Sequence, residues 1–333
     1  LLYFTTYSKD LIVSLQSIRE GAYNLIHNRY VDKLKKDIRS LCEKRRAVIL
    51  AHNYQSPEVQ DVADYVGDSL ELARKAVNAD ADVIVLAGVS FMAEVVAVLN
   101  EEKIILHPVR ESGCPLADFL NVRTIKKFRE KYPRAPLVLY VNSYAKAKIH
   151  ADYIVTSASA TKLISKLDEE TVLFGPDKNL AAYVAERTGK EIIAVPPNGC
   201  CYVHEYLITR YHIERAKSER PSAKVLVHPE VLPENQEMAD HIGSTSQMLK
   251  AINELEGDTF LLGTEEALSY RASKLYPDKK IYPINPRAIC IDMKKINLLN
   301  IKECLERMKP RIRMEKKDRL KIKSILERSF EML

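Results

Sequence analysis

The sequence predicts an α/β protein of three αβα units, each built on a parallel sheet, packed about a pseudo-threefold axis with a site at its centre. Three observations lead there. Short β-branched apolar runs alternate with helical patterns, as in βαβ units whose sheets are buried on both faces. That alternation occurs three times along the chain. Residues able to do chemistry recur at matched positions in each occurrence, the mark of an internal repeat.

Residues 1–33 form an N-terminal extension in which Leu11, Ile12, Leu15 and Ile18 recur at helical spacing. A helical extension is favoured over a targeting peptide, because no small-residue cleavage site follows. The first unit, 34–114, carries apolar runs at 47–51, near 62–66, at 83–87 and at 104–108. Helical patterns at 69–76 and 91–99 separate them. The second unit, 115–201, has its runs at 137–140, 153–156, 172–175 and 192–195. The third, 202–290, has them at 225–228, near 241–243, at 260–263 and at 281–284. Residues 291–333 read as helices expected to pack on the first unit.

Composition agrees with a folded enzyme-sized chain. It has 333 residues, 46% of them hydrophobic, which excludes global disorder. No run approaches the roughly 18–20 apolar residues of a membrane span, so no membrane partner is expected. Six cysteines are too sparse for a disulfide scaffold, and a reducing cytoplasm is the expected compartment. Of the net charge of +6, most comes from residues 306–333, with ten basic against five acidic side chains. A nucleic-acid arm is one reading of that tail. Leu320, Ile322, Ile325, Leu326 and Phe330 instead space as one helical face, so a packed amphipathic helix is favoured and no nucleic-acid partner is expected.

The repeats align chemistry. First strands end at His52, Tyr140 and His228, and seventeen residues later come Ser69, Ser157 and Thr245, each expected to open a helix. Third strands end at Gly88, Gly175 and Gly263, and each unit closes on a cysteine, Cys114, Cys201 or Cys290. Ligands of open parallel sheets bind beyond the strands' carboxyl ends, where all these positions fall. Three converging thiols suit zinc, copper(I) or an iron–sulfur cluster. Cys200 adjoins Cys201, and the repeat spacing favours Cys201; Cys42 and Cys304 read as structural. The helix starts at Ser69, Ser157 and the Ser244–Thr245 pair, if uncapped, would hold carboxylate or phosphate. His52, Tyr54, Tyr140, Asn142, His228 and Glu230 follow first strands directly, where His, Tyr and Glu are placed to move protons.

Many of these motifs together resemble the quinolinate synthase family, iron–sulfur enzymes of de novo NAD biosynthesis. Its marks over about residues 34–305 are Ala51-His-Asn-Tyr54, Gly67-Asp-Ser69, Glu111-Ser-Gly-Cys-Pro-Leu-Ala-Asp118, Tyr140-Val-Asn142, Gly199-Cys-Cys-Tyr-Val-His204, His228-Pro-Glu230, Gly243-Ser-Thr245 and Cys290-Ile-Asp-Met-Lys294. The resemblance implies one [4Fe–4S] cluster per chain on Cys114, Cys201 and Cys290, its open iron acting as a Lewis acid. It implies condensation of iminoaspartate with dihydroxyacetone phosphate to quinolinate, phosphate and water, and a partner enzyme that oxidises aspartate to supply the imine. Glu230 becomes the leading general acid/base, with Tyr54 next. His52, Tyr140, Asn142 and His228 help to position substrates and move protons, and Ser69, Ser157, Ser244 and Thr245 hold the anionic groups. Two alternatives stand beside it: a non-catalytic metal or nucleic-acid-binding protein using the basic tail, and a zinc-dependent lyase on the same fold.

Overall fold

The structure, a computed structural model, describes residues 28–333. The periodic stretch around Leu11–Ile18 lies outside the described residues. A helix over 28–45 runs straight through the 33/34 boundary expected from the sequence.

Among the described residues, twelve strands form three parallel sheets of four. The first contains β1 (Ala47–His52), β2 (Tyr65–Gly67), β3 (Val83–Ala87) and β4 (Ile104–Leu106). The second contains β5 (Leu137–Tyr140), β6 (Tyr153–Val155), β7 (Thr171–Gly175) and β8 (Glu191–Ala194). The third contains β9 (Lys224–Val227), β10 (His241–Ile242), β11 (Thr259–Gly263) and β12 (Lys280–Pro283). The spatial orders are β2-β1-β3-β4, β6-β5-β7-β8 and β10-β9-β11-β12, one topology used three times. The expected apolar run near Val62–Val66 splits in two, because Val62 ends the helix Pro57–Val62 and β2 begins only at Tyr65.

The strands look uniformly apolar because both faces are covered, and the period of two sorts their side chains. In the first sheet, Ile49, Ala51, Val83 and Val85 pack under the helix 28–45 and the helix Leu298–Arg307. Leu50, Ile84 and Leu86 face the opposite core with Leu72 and Phe91. In the third sheet, Val225, Val227 and Leu261 enter one core, whereas Leu226, Phe260 and Leu262 enter the other.

One device repeats in all three sheets. Asp64, Asp152 and Asp240 stand at a constant interval, each immediately before or near the second strand of its unit. Their carboxylates accept the N–H of Ile49, Leu137 and Val225 at 2.7, 2.7 and 2.8 Å. Their own amides return the bond to the same residues' carbonyls at 2.9, 2.8 and 2.8 Å. A cation braces each: Arg39, Arg129 and Lys224. Charge-assisted bonds of this kind fix the start of the central strand, and so the depth at which its far end meets the site.

The C-terminal segment divides its packing. Helix Leu298–Arg307 lies on the first sheet. The last helix, Lys316–Glu331, lies instead against β6 of the second sheet and helix Ser90–Leu99 of the first unit. Its Ile322, Ile325 and Leu326 are buried, and Ser329 Oγ accepts the N–H of Ile154 at 2.9 Å, satisfying the edge of β6. Leu320, placed on that face by its spacing, remains exposed. No described helix is long and apolar enough to cross a membrane.

Candidate active site

The carboxyl ends of all three sheets open on one cavity with about 720 Å³ of atom-free space. Its walls include the three first-strand ends His52, Tyr140 and His228, and the residues two further on, Tyr54, Asn142 and Glu230. They also include Ser69, Ser157, Ser244 and Thr245, and the three unit-closing cysteines Cys114, Cys201 and Cys290. The cavity thus brings together the strand-end, hydroxyl and cysteine positions singled out from the repeats.

Each of the three cysteines is the N-cap residue of a short helix: Pro115–Asp118, Tyr202–Leu207 and Ile291–Lys294. Each backbone N–H is held by a side-chain oxygen. Cys114 donates to the Tyr144 hydroxyl at 3.0 Å, Cys201 to Asp177 Oδ2 at 3.1 Å and Cys290 to Glu265 Oε1 at 3.1 Å. Burial pushes all three thiols up, Cys290 to about 11 and the other two further. The amides of Ala117, His204 and Met293 oppose that push without completing cap hydrogen bonds to the sulfurs. A buried thiol without a neighbouring cation is a poor free nucleophile. Three of them from three units facing one cavity, none in a disulfide, make a donor set suited to a soft metal centre. The backbone lets Cys201 reach it: a Cβ on Gly175 would stand 2.1 Å from Val195 O, and one on Gly199 2.0 Å from Pro176 O. Cys200 lies outside the cavity lining, its sulfur 3.8 Å from the Tyr206 hydroxyl. Cys42 and Cys304 are buried in the core of the first unit.

Acid–base groups gather around Glu230. His204 Nδ1 lies 2.8 Å from Glu230 Oε2, close but off the line of a hydrogen bond. The rings of His204 and His228 stack with centroids 4.6 Å apart. Burial pushes the Glu230 carboxyl up, but His204, His228 and the Tyr140 hydroxyl outweigh it and bring it down to about 2. From His204 the network continues: Nε2 is 2.9 Å from Thr264 Oγ1, which is 2.6 Å from the Tyr54 hydroxyl. Burial and the Glu230 charge push both Tyr54 and Tyr140 well above the usual phenol range.

His52 and His228 have matching settings. The amide of Tyr54 donates to His52 Nδ1 at 3.1 Å, and that of Glu230 to His228 Nδ1 at 3.3 Å. Nδ1 is therefore the acceptor in both, and the ring proton sits on Nε2. In His228 that nitrogen meets Ser157 Oγ at 3.2 Å. Burial pulls His52 down to about 4 and His228 to about 3. Burial thus favours the neutral form of both rings, with the proton on Nε2.

The helix starts also differ from expectation. Ser69 and Thr245 are first-turn residues, but their helices are capped: Asp68 accepts from Leu70 and Glu71, and Ser244 accepts from Gln247. Ser157 opens no helix. The Ser159 hydroxyl bonds back to the Thr156 amide at 3.0 Å, which makes a turn of 157–159 and delays the helix to Ala160–Ile164. That turn is what leaves Ser157 free to reach His228.

Sequence reasoning passed over His204, Thr264, Tyr144, Asp177 and Glu265. Asp177 and Glu265 had a signal, for both stand two residues after the glycine ending the third strand of their units. His204 had a weaker one, three residues after Cys201 in the first turn of a helix. Cys201, His204 and Glu230 bring sulfur, nitrogen and carboxylate oxygen within 4.8 Å of one another.

Comparison with known proteins gives concordant matches. A family model described as quinolinate synthetase A protein matches residues 36–331. The chain is 54% identical over 297 residues to the quinolinate synthase of Pyrococcus abyssi, covering 89% of this chain and 98% of that protein. It is 47% identical over 300 residues to that of Methanocaldococcus jannaschii, with coverage of 89% and 97%. With that of Thermotoga maritima it shares 42% identity over 297 residues, with coverage of 89% and 99%.

Proposed function

The chain belongs to the quinolinate synthetase A family, enzymes of NAD biosynthesis, and from that premise we propose that it condenses iminoaspartate with dihydroxyacetone phosphate to quinolinate, releasing phosphate and water. The observation that carries this reading is the convergence of Cys114, Cys201 and Cys290 with the Glu230 network on one cavity. The three thiols would hold one [4Fe–4S] cluster per chain, which supplies a Lewis-acidic iron when bound.

The chain's own groups divide the remaining work. Glu230, ionised, takes substrate protons, and His204 beside it accepts or returns them. The Thr264 hydroxyl connects His204 to Tyr54, so a proton can reach either wall of the cavity. His52 and His228 donate Nε2–H to developing oxygen charge without changing protonation. Asn142, Ser69, Ser157, Ser244 and Thr245 supply hydrogen bonds for carboxylate and phosphate. An aspartate-oxidising enzyme is the partner this chemistry asks for, because the imine is unstable in water. Six unpaired cysteines fit a reducing cytoplasm.

Anaerobic reconstitution with iron and sulfide should give a brown protein that forms quinolinate from the two substrates. A colourless protein with full activity would overturn the cluster, and a loaded protein that makes no quinolinate would overturn the reaction. The Cys201–His204–Glu230 group favours one second reading, a lyase with a single zinc ion. Metal analysis of the active protein decides between them.

A further inference from the structure

Three buried polar side chains, Gln60, Lys148 and Gln236, recur at the same position of the three repeats. Each lies in the short helix that follows a first-strand loop: Pro57–Val62, Ala145–Lys148 and Pro233–Gln236. Each turns back and donates to two carbonyls of that loop. Gln60 Nε2 bonds Asn53 O at 3.0 Å and Gln55 O at 2.9 Å. Lys148 Nζ bonds Val141 O at 2.8 Å and also Ser143 O. Gln236 Nε2 bonds Pro229 O at 3.1 Å and Val231 O at 2.6 Å. In every case the two carbonyls flank one residue of the cavity wall: Tyr54, Asn142 or Glu230.

We propose that Gln60, Lys148 and Gln236 are positioning residues, each clamping the carbonyls of the two residues that flank one active-site residue so that its side chain is aimed into the cavity before substrate arrives. The inference rests on the reaction proposed above and deepens it. Two features favour aim over mere stability. Each clamp ties together the carbonyl of the residue before the working one and that of the residue after it, which fixes the short turn that carries its side chain. And the middle clamp is an ammonium group, a costly group to bury, yet its hydrogen bonds go to those carbonyls. Two side-chain types thus perform one geometric task.

That interchange supplies the test. Lys148→Met keeps an unbranched stem one atom shorter and removes the donors; Lys148→Gln rebuilds the clamp of the other two repeats. Lys148→Met should keep wild-type iron content and urea midpoint while kcat falls on the order of 10- to 100-fold, the scale of a small misalignment. Lys148→Gln should restore most of that loss. Should Lys148→Met not fold, Gln236→Met and Gln236→Lys make the same comparison. A Met variant with unchanged kcat in an active wild-type background overturns the clamp alone. So does a rebuilt variant as impaired as the Met variant. A wild type unable to make quinolinate overturns both, leaving no reaction for the clamps to serve.

Discussion

His204 and His228 stack ring on ring at 4.6 Å, and both face the single carboxylate of Glu230. Glu230 and His228 follow the first strand of the third sheet, while His204 rides on the helix that Cys201 begins. The Cys201 loop and the Glu230 carboxylate are thus joined by one imidazole.

Glu230→Gln preserves this shape and removes the charge. It should lower kcat by about 10²–10⁴-fold, the usual worth of a positioned acid–base group, with iron content unchanged. Single-turnover quinolinate formation by anaerobically loaded protein measures it. A rate within a few-fold of wild type would move the acid–base role elsewhere.

The doublet Cys200–Cys201 separates two outcomes. Cys201→Ala should abolish iron retention, because its sulfur faces the cavity. Cys200→Ala should leave both iron content and rate near wild type, because its sulfur is turned to Tyr206. Iron and sulfide determination on the two variants, prepared in parallel, checks the pair.

Gly175→Ala should be among the worst single-methyl additions in the chain. Its Cβ would meet the Val195 carbonyl at 2.1 Å, a backbone atom that cannot rotate away. Strain of this kind costs about 1–3 kcal/mol or more, and it should also displace the loop carrying Cys201. Gly189→Ala has φ +69° but open space around its Cβ, so its cost is the backbone strain alone, about 1–2 kcal/mol. Urea midpoints and iron content of the two variants rank them.

Acidification should destabilise the fold through its buried neutral imidazoles. His52 takes a proton near its ordinary value of 6.5 when unfolded, but only at about 4 when folded. Its contribution is therefore full above pH 6.5 and is lost as pH falls toward 4. By pH 5 that loss is about 2 kcal/mol, at about 1.4 kcal/mol per unit. The fall in urea midpoint between pH 7.5 and pH 5 should be smaller in His52→Asn than in wild type. Equal falls would show that His52 is not held neutral.

The parts of this molecule that could be read beforehand are those where unusual residue types recur. Cysteine, histidine and tyrosine stand out wherever they sit, so the three thiols and the first-strand ends announced the site. Asp64, Asp152 and Asp240 recur just as faithfully, as do Gln60, Lys148 and Gln236. A lone Asp, Gln or Lys in sequence is an ordinary surface residue, and only the buried carbonyls and amides it meets reveal its purpose. His204 and Thr264 have no counterparts doing the same work in the other units, so no repeat could expose them. Ser157 was misplaced onto a helix start because a single hydroxyl two residues later bends the backbone into a turn. The last helix was rightly read as packed, but its partner β6 comes from the second sheet, a contact that sequence periodicity does not encode.

The dispersal of the three thiols, one at the close of each unit, has a bearing on biogenesis. A nascent or nicked chain with one unit still open offers two sulfurs and a gap. Retention of the proposed cluster would then become a check on maturation: only a polypeptide whose three units have all docked can keep it. Damage to any one sheet would show first as iron lost to the surroundings, before any sluggish, half-competent enzyme accumulates.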